Sequence, residues 1–252
     1  MYRPRIIPVL LLKGQGLYKS VKFKNYNYIG DPINAVKLFN DLKADELTFL
    51  DINATKEKRT ISLDLIKDIG EEANMPFSVG GGIESIKDIE QIIKAGAEKV
   101  VINTHAIKKP YFIKEASNYF GSSTICVCVD VKKNMFGKQK IYSNTGTRIS
   151  SNNILDFCKL MEQNGAGELI IQSVDKDGTM EGYDINLLAS VSKNLTIPVI
   201  GLGGAKSINN LKETYDQCNL NGLAAGSLFV YQGTKKGVLI NYPEKNEVNF
   251  MS

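Results

Sequence analysis

A short apolar segment that ends in three consecutive glycines is the feature that most constrains this chain. Residues 77–83 read FSVGGGI, and apolar residues at helical spacing follow between Ser85 and Ala95. Glycines between a strand and the N-terminus of a helix let backbone N–H groups approach a phosphate. One such segment is most often only a tight turn. A second one, PVIGLGG at 198–204, places Gly203 122 residues after Gly81.

The repeat extends beyond the glycines. The segment LTFLD at 47–51 corresponds to LIIQS at 169–173, and 98–103 corresponds to 220–227. Each half then holds four strand–helix units, and two similar halves of about 1–122 and 123–243 predict a (β/α)8 TIM barrel. The length of 252 residues is typical of one such domain, so we expect 1–252 to be a single domain. We expect the polar tail 244–252 to fray.

Composition narrows the class of partner. The net charge of +4 is compatible with a phosphorylated small molecule, whereas the scattered basic residues predict no nucleic-acid surface. The four cysteines form no disulfide or zinc pattern and there is one histidine, so we expect no metal and no cofactor. Without a signal peptide or a membrane-length apolar run, a cytoplasmic protein that does not bind membranes is expected.

Three further segments stand out in chain order. After the first strand, a long loop is predicted from Lys13 to Gly30, and long loops inside compact domains are usually functional. Its Lys19 is a candidate phosphate or loop-closing lysine, with a solvated lysine as the alternative. Residues 138–148 predict a hairpin over the top of the barrel, and a last helix is expected from Thr234 to Asn241.

Polar residues and glycines follow several of the predicted strands. In a barrel the C-terminal ends of the strands share one face, where catalytic groups belong. Any single residue there is more simply a helix cap or a turn residue, but the set together indicates a site. We expect Asp51 to be a substrate-site candidate. One anion site is expected at Gly81, Gly82, Asn103 and Thr104, and a second at Asp177, Gly178, Gly203, Gly204, Gly226 and Ser227, largely through backbone N–H groups.

Several motifs together carry a family resemblance. They include RIIP at 5–8, VGGGI at 79–83, DKDGT at 175–179, GYD at 182–184 and AAGSLF at 224–229. In this order and spacing the chain resembles the HisF family, the cyclase subunit of imidazole glycerol phosphate synthase, along nearly its whole length. The resemblance implies that ammonia from a HisH-like glutaminase subunit passes through the barrel to a phosphorylated substrate. It also implies two aspartates that act as general acid and base.

One position departs from the family pattern. The second aspartate matches Asp130, but the first matches Leu11, inside VLLL at 9–12. Two carboxylates divide acid and base work, and a leucine does neither, unless a neighbouring group compensates. With Leu11, the chain is most similar to a HisF-like branch linked to amidination of bacterial surface sugars. That branch implies a HisH-like glutaminase and a separate sugar amidotransferase as partners.

Three functions are compatible with this resemblance and with the departure at Leu11. The first is a synthase-type subunit of a glutamine amidotransferase complex that handles ammonia for amidination of a surface-glycan sugar. The alternative is the imidazole glycerol phosphate synthase cyclase subunit of histidine biosynthesis, against which Leu11 argues. The third is a non-catalytic scaffold that activates its glutaminase, against which the two glycine-rich anion sites argue.

Charged residues mark the opposite ends of four strands. Arg5, Glu46, Lys99 and Glu168 begin their strands, where apolar side chains should otherwise close a barrel. A lone charge would usually point into solvent, but two positive and two negative charges can neutralise one another as a ring. The resemblance implies an ammonia gate here that faces the glutaminase, with Glu98 as a further interface contact.

Overall fold

The computed structural model describes residues 3–143, 153–233 and 236–248. The strands are β1 (Arg5–Lys13), β2 (Gly16–Val21), β3 (Lys24–Gly30), β4 (Leu47–Asp51), β5 (Phe77–Gly80), β6 (Lys99–Ile102), β7 (Ile125–Lys133), β8 (Gln139–Ile141), β9 (Glu168–Ser173), β10 (Val199–Leu202), β11 (Gly222–Ala225), β12 (Tyr231–Gln232) and β13 (Gly237–Val238). The helices are α1 (Pro32–Asp41), α2 (Leu63–Glu72), α3 (Ile86–Lys94), α4 (Thr104–Lys108), α5 (Tyr111–Phe120), α6 (Ile154–Gln163), α7 (Ile185–Ser192), α8 (Ile208–Cys218), α9 (Ser227–Val230) and α10 (Lys245–Val248).

Eight of these strands form a closed parallel barrel. Neighbouring strands pair in the order β1, β4, β5, β6, β7, β9, β10 and β11, and β11 pairs with β1 to complete the ring. Helices lie between successive barrel strands, as right-handed crossovers of a parallel sheet require. The (β/α)8 fold expected from the sequence is confirmed, while the division into two similar halves stays a prediction.

Local sequence explains where the helices begin. Asp31 accepts from Asn34 N with Pro32 in the first turn of α1, and Ser85 forms a capping box with Asp88 at α3. These caps satisfy N–H groups that have no partner inside the helix. Each of these two helices therefore begins at a residue that the local sequence specifies. The loops before the helices share one face of the barrel because the barrel strands are parallel.

The apolar side chains form two separate buried clusters. The larger lies between the sheet and the helices, and the smaller lies inside the barrel. Successive side chains of a strand point to opposite faces, so alternate residues of each barrel strand enter the interior. The interior cluster consists of Ile7, Val9, Val101, Cys126, Cys128, Ile170, Ile200, Leu202 and Ala224, with Leu11 and Leu50 packed against it.

The segment predicted as a long loop is a β-hairpin instead. β2 pairs antiparallel with β1 and with β3, and Val21 pairs with Lys24 across a two-residue turn. The turn residues Lys22 and Phe23 both have positive φ, at 53° and 60°. That geometry suits a tight hairpin but normally selects glycine or asparagine. Because neither residue type is present in the turn, the sequence carries no hairpin signal here.

Two other local predictions need correction. The hairpin expected over 138–148 has β8 as one strand, but its partner is the end of β7, and residues 144–148 lie outside the described part. The helix expected from Thr234 to Asn241 is wrong over 236–241. Gly237–Val238 instead pairs with Tyr231–Gln232 around Gly233, whose φ is 72°. Within the tail, Lys245–Val248 is helical and Val248 is buried, so this part is packed rather than frayed.

Among the described residues, no helix combines the length and apolar character that crossing a bilayer requires.

Candidate functional site

A cavity opens at the C-terminal ends of the barrel strands. It is lined by residues of several strands and loops, including Leu11, Asp51, Asp130 and the whole first anion group of Gly81, Gly82, Asn103 and Thr104. Leu11, Asp51, Asp130 and the first anion group therefore meet at one cavity. The four members of the first anion group come from two adjacent strand ends, those of β5 and β6.

The glycines of the first anion group are required by space as well as by conformation. Gly82 has φ of +68°, and a Cβ atom there would lie 1.8 Å from the Arg59 carbonyl oxygen. A Cβ on Gly81 would lie 2.8 Å from the Asp51 side chain. A side chain at either position would collide with its neighbours, so both positions require glycine.

The second anion group lies in a separate, smaller recess. Asp177, Gly178, Gly203, Gly204, Gly226 and Ser227 all line it, together with Lys19. A Cβ on Gly226 would lie 2.1 Å from Lys19 Nζ, so the ammonium directly faces this glycine. The second predicted anion group thus has a buried lysine at its wall, whereas Lys56, a lysine that lines the first cavity, is exposed.

Lys19 is fully enclosed rather than solvated. Its Nζ donates to the Val9 carbonyl oxygen, and only 5% of the residue is exposed. Burial lowers the pKa of Lys19 to about 8, while the Asp177 carboxylate opposes that shift. The ammonium is therefore mostly charged at neutral pH and faces the second recess, as an anion-binding lysine would.

Asp177 holds the β2–β3 hairpin in place. Its Oδ2 accepts from Ser20 Oγ at 2.9 Å and from Phe23 N at 3.4 Å. Burial raises the pKa of Asp177, while Ser20, Lys19 and Gln172 favour its charged form. The carboxylate is thus engaged with the hairpin.

Asp130 is a buried carboxylate without a cationic partner among the described residues. It is 7% exposed, and burial raises its pKa to about 7, against hydrogen bonds from Cys128 and Asn103. The Cys128 Sγ donates to Asp130 Oδ1 across 3.6 Å. A group with a pKa near neutrality exchanges protons readily at neutral pH, which suits general acid–base work.

Leu11 and Asp51 contribute no second acid–base group. Leu11 points into the barrel near the end of β1, and its apolar side chain lines the cavity. Asp51 forms an ion pair with Arg59 Nη1 at 2.6 Å and accepts from the backbone N–H groups of Asn53 and Ala54. The Asp51 carboxylate is therefore fully engaged by the loop after β4. Among the described residues, Asp130 is the one buried carboxylate of this cavity that has no cationic partner.

Several cavity residues were missed by the sequence reasoning, and four of them carry polar or aromatic groups into the cavity from the hairpin and the barrel strands. Phe23 and Tyr26 reach the cavity from the β2–β3 hairpin, and Cys128 and Gln172 from barrel strands. Gln172 pairs in register with Asp130, so both side chains face the interior. Because side chains alternate between the two faces of a strand, Cys128 on β7 and Gln172 on β9 could have been identified from the sequence. Phe23 and Tyr26 could not, because they reach the cavity through a hairpin that the sequence did not predict.

The four charged residues at the other end of the barrel form a closed ring. Arg5 pairs with Glu46 and, at 2.6 Å, with Glu168, and Lys99 pairs with the same two carboxylates at 3.2 and 3.1 Å. Burial opposes the charge of Arg5, but Glu168 and Glu46 outweigh it and raise its pKa. The charges alternate and neutralise one another. Glu98 is exposed, and none of these four ion pairs involves it.

No metal centre is evident in the described ranges. There, no three histidine, cysteine or carboxylate side chains lie together so that they could hold an ion. The fold and the site define a (β/α)8 barrel with a buried, unpaired carboxylate and glycine-rich recesses at one end, and a closed charged ring at the other.

Comparisons with known proteins identify the family. A model described as "Histidine biosynthesis protein" matches residues 5–236. The chain is 41% identical over 248 residues to a Leptospira interrogans protein named "Putative imidazole glycerol phosphate synthase subunit HisF", covering 98% of each chain. It is 39% identical over 249 residues, or 99% of each chain, to the Pseudomonas aeruginosa "Putative imidazole glycerol phosphate synthase subunit hisF2". A Streptococcus sanguinis "Imidazole glycerol phosphate synthase subunit HisF" is 36% identical over 231 residues, 92% of each chain. The chain belongs to the HisF family.

Proposed function

We propose that the chain is the ammonia-using synthase subunit of a two-subunit glutamine amidotransferase, acting on a phosphorylated small molecule. The observation that supports this most is that the two ends of one barrel carry different groups. A closed charged ring lies at the N-terminal strand ends, and Asp130 lies with the glycine-rich recesses at the C-terminal ends. Ammonia would enter through the ring, and substrate would bind opposite.

Asp130 is the group we assign to proton transfer. With a pKa of about 7, its ionised form can accept a proton from an attacking amine at neutral pH, and its protonated form can return it. The two recesses would each hold one phosphate, the first through Gly82 and Asn103 and the second beside Lys19. Two anchored ends would orient the middle of the substrate toward Asp130.

The relatives' names favour imidazole glycerol phosphate as the product. All three relatives are named as subunits of that synthase. This reverses the order expected from the sequence, in which amidination of a surface-glycan sugar came first. The cyclase of histidine biosynthesis is therefore our first candidate.

Amidination of a surface-glycan sugar stays the second candidate because of one observation. Leu11 leaves Asp130 without a carboxylate partner for divided acid and base work. In that case the barrel would deliver ammonia to a sugar amidotransferase rather than close an imidazole ring. The glycine-rich recesses, which a pure scaffold does not need, argue against a non-catalytic role.

The HisH-like glutaminase is the partner we assign to the ring end. A stable complex should bury at least about 1,000 Å² in total. Glu98, which is exposed beside β6, would contribute to that interface.

Turnover with ammonium salts separates the candidates. The purified chain is given the ribosyl-aminoimidazole precursor of the cyclase reaction and ammonium chloride, and formation of the imidazole product is followed. Rates of about 1 s⁻¹ or more would establish the cyclase and remove the second candidate. Absence of product from a folded chain that still binds inorganic phosphate would remove the cyclase.

A further inference from the structure

The cavity wall beside Asp130 carries a thiol. Side chains along β7 alternate between the two faces of the sheet, so Cys128 points into the barrel on the same side as Asp130. Cys128 is 4% exposed, and its Sγ donates to Asp130 Oδ1 across 3.6 Å. Burial raises the pKa of this thiol well above its usual range, so it stays protonated at neutral pH. Asp130 therefore has a permanent, neutral hydrogen-bond donor on its own strand.

A second side chain connects the same two groups. Asn103, directly after β6, forms side-chain hydrogen bonds with both Cys128 and Asp130. Asn103 also belongs to the first anion group, where we assign it to a substrate phosphate. Its two N–H donors are thus shared among the thiol, the carboxylate and a bound anion, whereas the single S–H proton of Cys128 is given to Asp130. The thiol is the donor that stays with the carboxylate when an anion is bound.

Other residues of the cavity end offer no substitute for this thiol. Leu11 is apolar, and Gln172 forms a hydrogen bond with Asp177. Asp177 carries the same charge as Asp130 and therefore favours the protonated form of Asp130. The further titratable groups that line the cavity are Tyr26, Asp51, Lys56, Glu84 and His105. Among the described residues, hydrogen bonds from Cys128 and Asn103 favour the ionised form of Asp130, and burial and Asp177 oppose it.

We propose that Cys128 is a positioning residue that holds the Asp130 carboxylate through Oδ1 and favours the ionised form that acts as the base. The proposal rests on the proposed function for the role of Asp130. It adds the residue that partners Asp130 in a site where Leu11 supplies no second carboxylate. The two kinds of partner act in opposite directions, because a second carboxylate would disfavour ionisation of Asp130 and a neutral donor favours it.

Two substitutions of nearly equal size separate donation from packing. Cys128→Ala removes the donor, and Cys128→Ser keeps one on a side chain of similar volume. Carbon-13 NMR titration of the Asp130 carboxyl group is carried out on the full chain without substrate or partner, and the signal is assigned by its absence from Asp130→Asn. The pKa of Asp130 should rise in Cys128→Ala, because a hydrogen bond to the ionised form is lost. It should not rise in Cys128→Ser, because a hydroxyl donates at least as strongly as a thiol.

Two further variants control for packing. Cys128→Val has no donor but fills the space, so it should raise the pKa of Asp130 as Cys128→Ala does, and it serves alone if Cys128→Ala does not fold. Cys126→Ala is the matched control on the same strand. Cys126 is fully buried and faces the same interior, but the hydrogen bonds to Asp130 from the described residues come from Cys128 and Asn103. Cys126→Ala should leave the pKa of Asp130 unchanged.

The pH dependence of turnover gives a second readout. At a constant concentration of free ammonia, loss of the donor should move the rise in rate to higher pH. The rate of Cys128→Ala at pH 6 should therefore fall about three- to tenfold more than its rate at pH 9, as expected for a weak hydrogen bond to a charged group. Cys128→Ser should restore the wild-type profile.

The proposal is overturned if neither Cys128→Ala nor Cys128→Val raises the pKa of Asp130, or if Cys126→Ala raises it equally. It is also overturned if Cys128→Ser raises the pKa as much as Cys128→Ala, since altered packing would then explain the change. A failure of the proposed function would appear separately, as absence of turnover by the wild-type chain, and would not alter the NMR titrations.

Discussion

The two ends of the barrel bury charge in opposite ways. At the ring end, two cations and two carboxylates satisfy one another in four ion pairs, so the end is complete without a ligand. At the cavity end, Asp130 is about as buried as the ring carboxylates Glu46 and Glu168, but it has only a thiol and an amide as hydrogen-bond partners. A paired charge stays ionised, whereas a lone buried carboxylate shifts its pKa toward neutrality. From this difference we expect the ring end to stay closed and the carboxyl group of Asp130 at the cavity end to exchange protons near neutral pH.

The largest expected effect comes from removing the lone carboxylate. Asp130→Asn keeps the shape of the side chain but cannot accept a proton, so turnover should fall by about 10²- to 10⁴-fold. The wild-type rate should rise with pH through about 7, because the ionised form of Asp130 is the base. Rates across pH 5.5–8.5, with ammonium chloride adjusted so that the concentration of free ammonia stays constant, measure both the loss in the variant and the pH dependence of the wild type. Undiminished turnover in the Asp130→Asn variant would remove Asp130 from the chemistry.

The same substitution should stabilise the protein in alkaline solution. The folded-state pKa of Asp130 is raised to about 7, so the folded chain binds a proton that the unfolded chain has lost between about pH 4 and 7. Burying the ionised carboxylate therefore costs up to about 4 kcal/mol above pH 7, and this cost disappears near pH 4. Urea unfolding of Asp130→Asn should show a gain at pH 8 and none at pH 4. An equal gain at both values would contradict the assignment.

The cavity end also depends on backbone geometry. Gly82→Ala should cost about 2–4 kcal/mol of stability and weaken binding of inorganic phosphate, because its Cβ would meet the Arg59 carbonyl oxygen at positive φ. Gly121→Ala is the matched control, since Gly121 also has positive φ, of +84°, but has nothing within 4 Å of the added Cβ. Thermal unfolding and phosphate titration compare the two. Similar losses in both variants would show that φ alone, without the clash, explains the effect.

Breaking the ring should reduce turnover with glutamine more than turnover with ammonium chloride. Lys99→Ala leaves Glu46 and Glu168 with Arg5 as their remaining ring cation, and both carboxylates are nearly inaccessible. Turnover with glutamine and the glutaminase should fall roughly tenfold more than turnover with ammonium chloride. Lys94→Ala, in the exposed pair with Glu90, should change neither rate. An equal loss with both nitrogen sources would argue against an ammonia gate.

Sequence reasoning succeeded where a residue's place in the fold follows from its position along a strand. The ring residues begin their strands and the glycines end theirs, so a parallel barrel necessarily brings each set together. It failed where the outcome depended on an unusual backbone conformation. Lys22 and Phe23 adopt positive φ without the residue types that normally indicate it, and this hid the hairpin that brings Phe23 and Tyr26 to the cavity. Side-chain pairs within a loop, such as Arg59 with the carboxylate of Asp51, also required the folded structure.

The variant with the smallest expected effect, Leu11→Asp, tests whether the cavity end can be converted into a site with two carboxylates. Leu11 lies at the cavity wall and is only partly buried, so Leu11→Asp should cost no more than about 1–2 kcal/mol at pH 5, where both carboxyl groups can be protonated. The cost should grow as pH rises, because a second carboxylate in the same cavity disfavours ionisation of Asp130 and raises its pKa above about 7. Carbon-13 NMR titration of the aspartate carboxyl groups measures that shift. Leu11→Asn is the control, since it adds a polar group of similar size without a charge.

A rise in the Asp130 pKa with Leu11→Asp but not with Leu11→Asn would establish that the two strand ends share one electrostatic site. If cyclisation of the imidazole precursor then appears or increases, Leu11 is the residue that withholds it from the natural chain. If the pKa of Asp130 is unchanged in both variants, the end of β1 lies too far from Asp130 for a carboxylate there to divide the acid and base work. Leu11 would then say nothing about which product the barrel makes, and the second candidate function would lose its support.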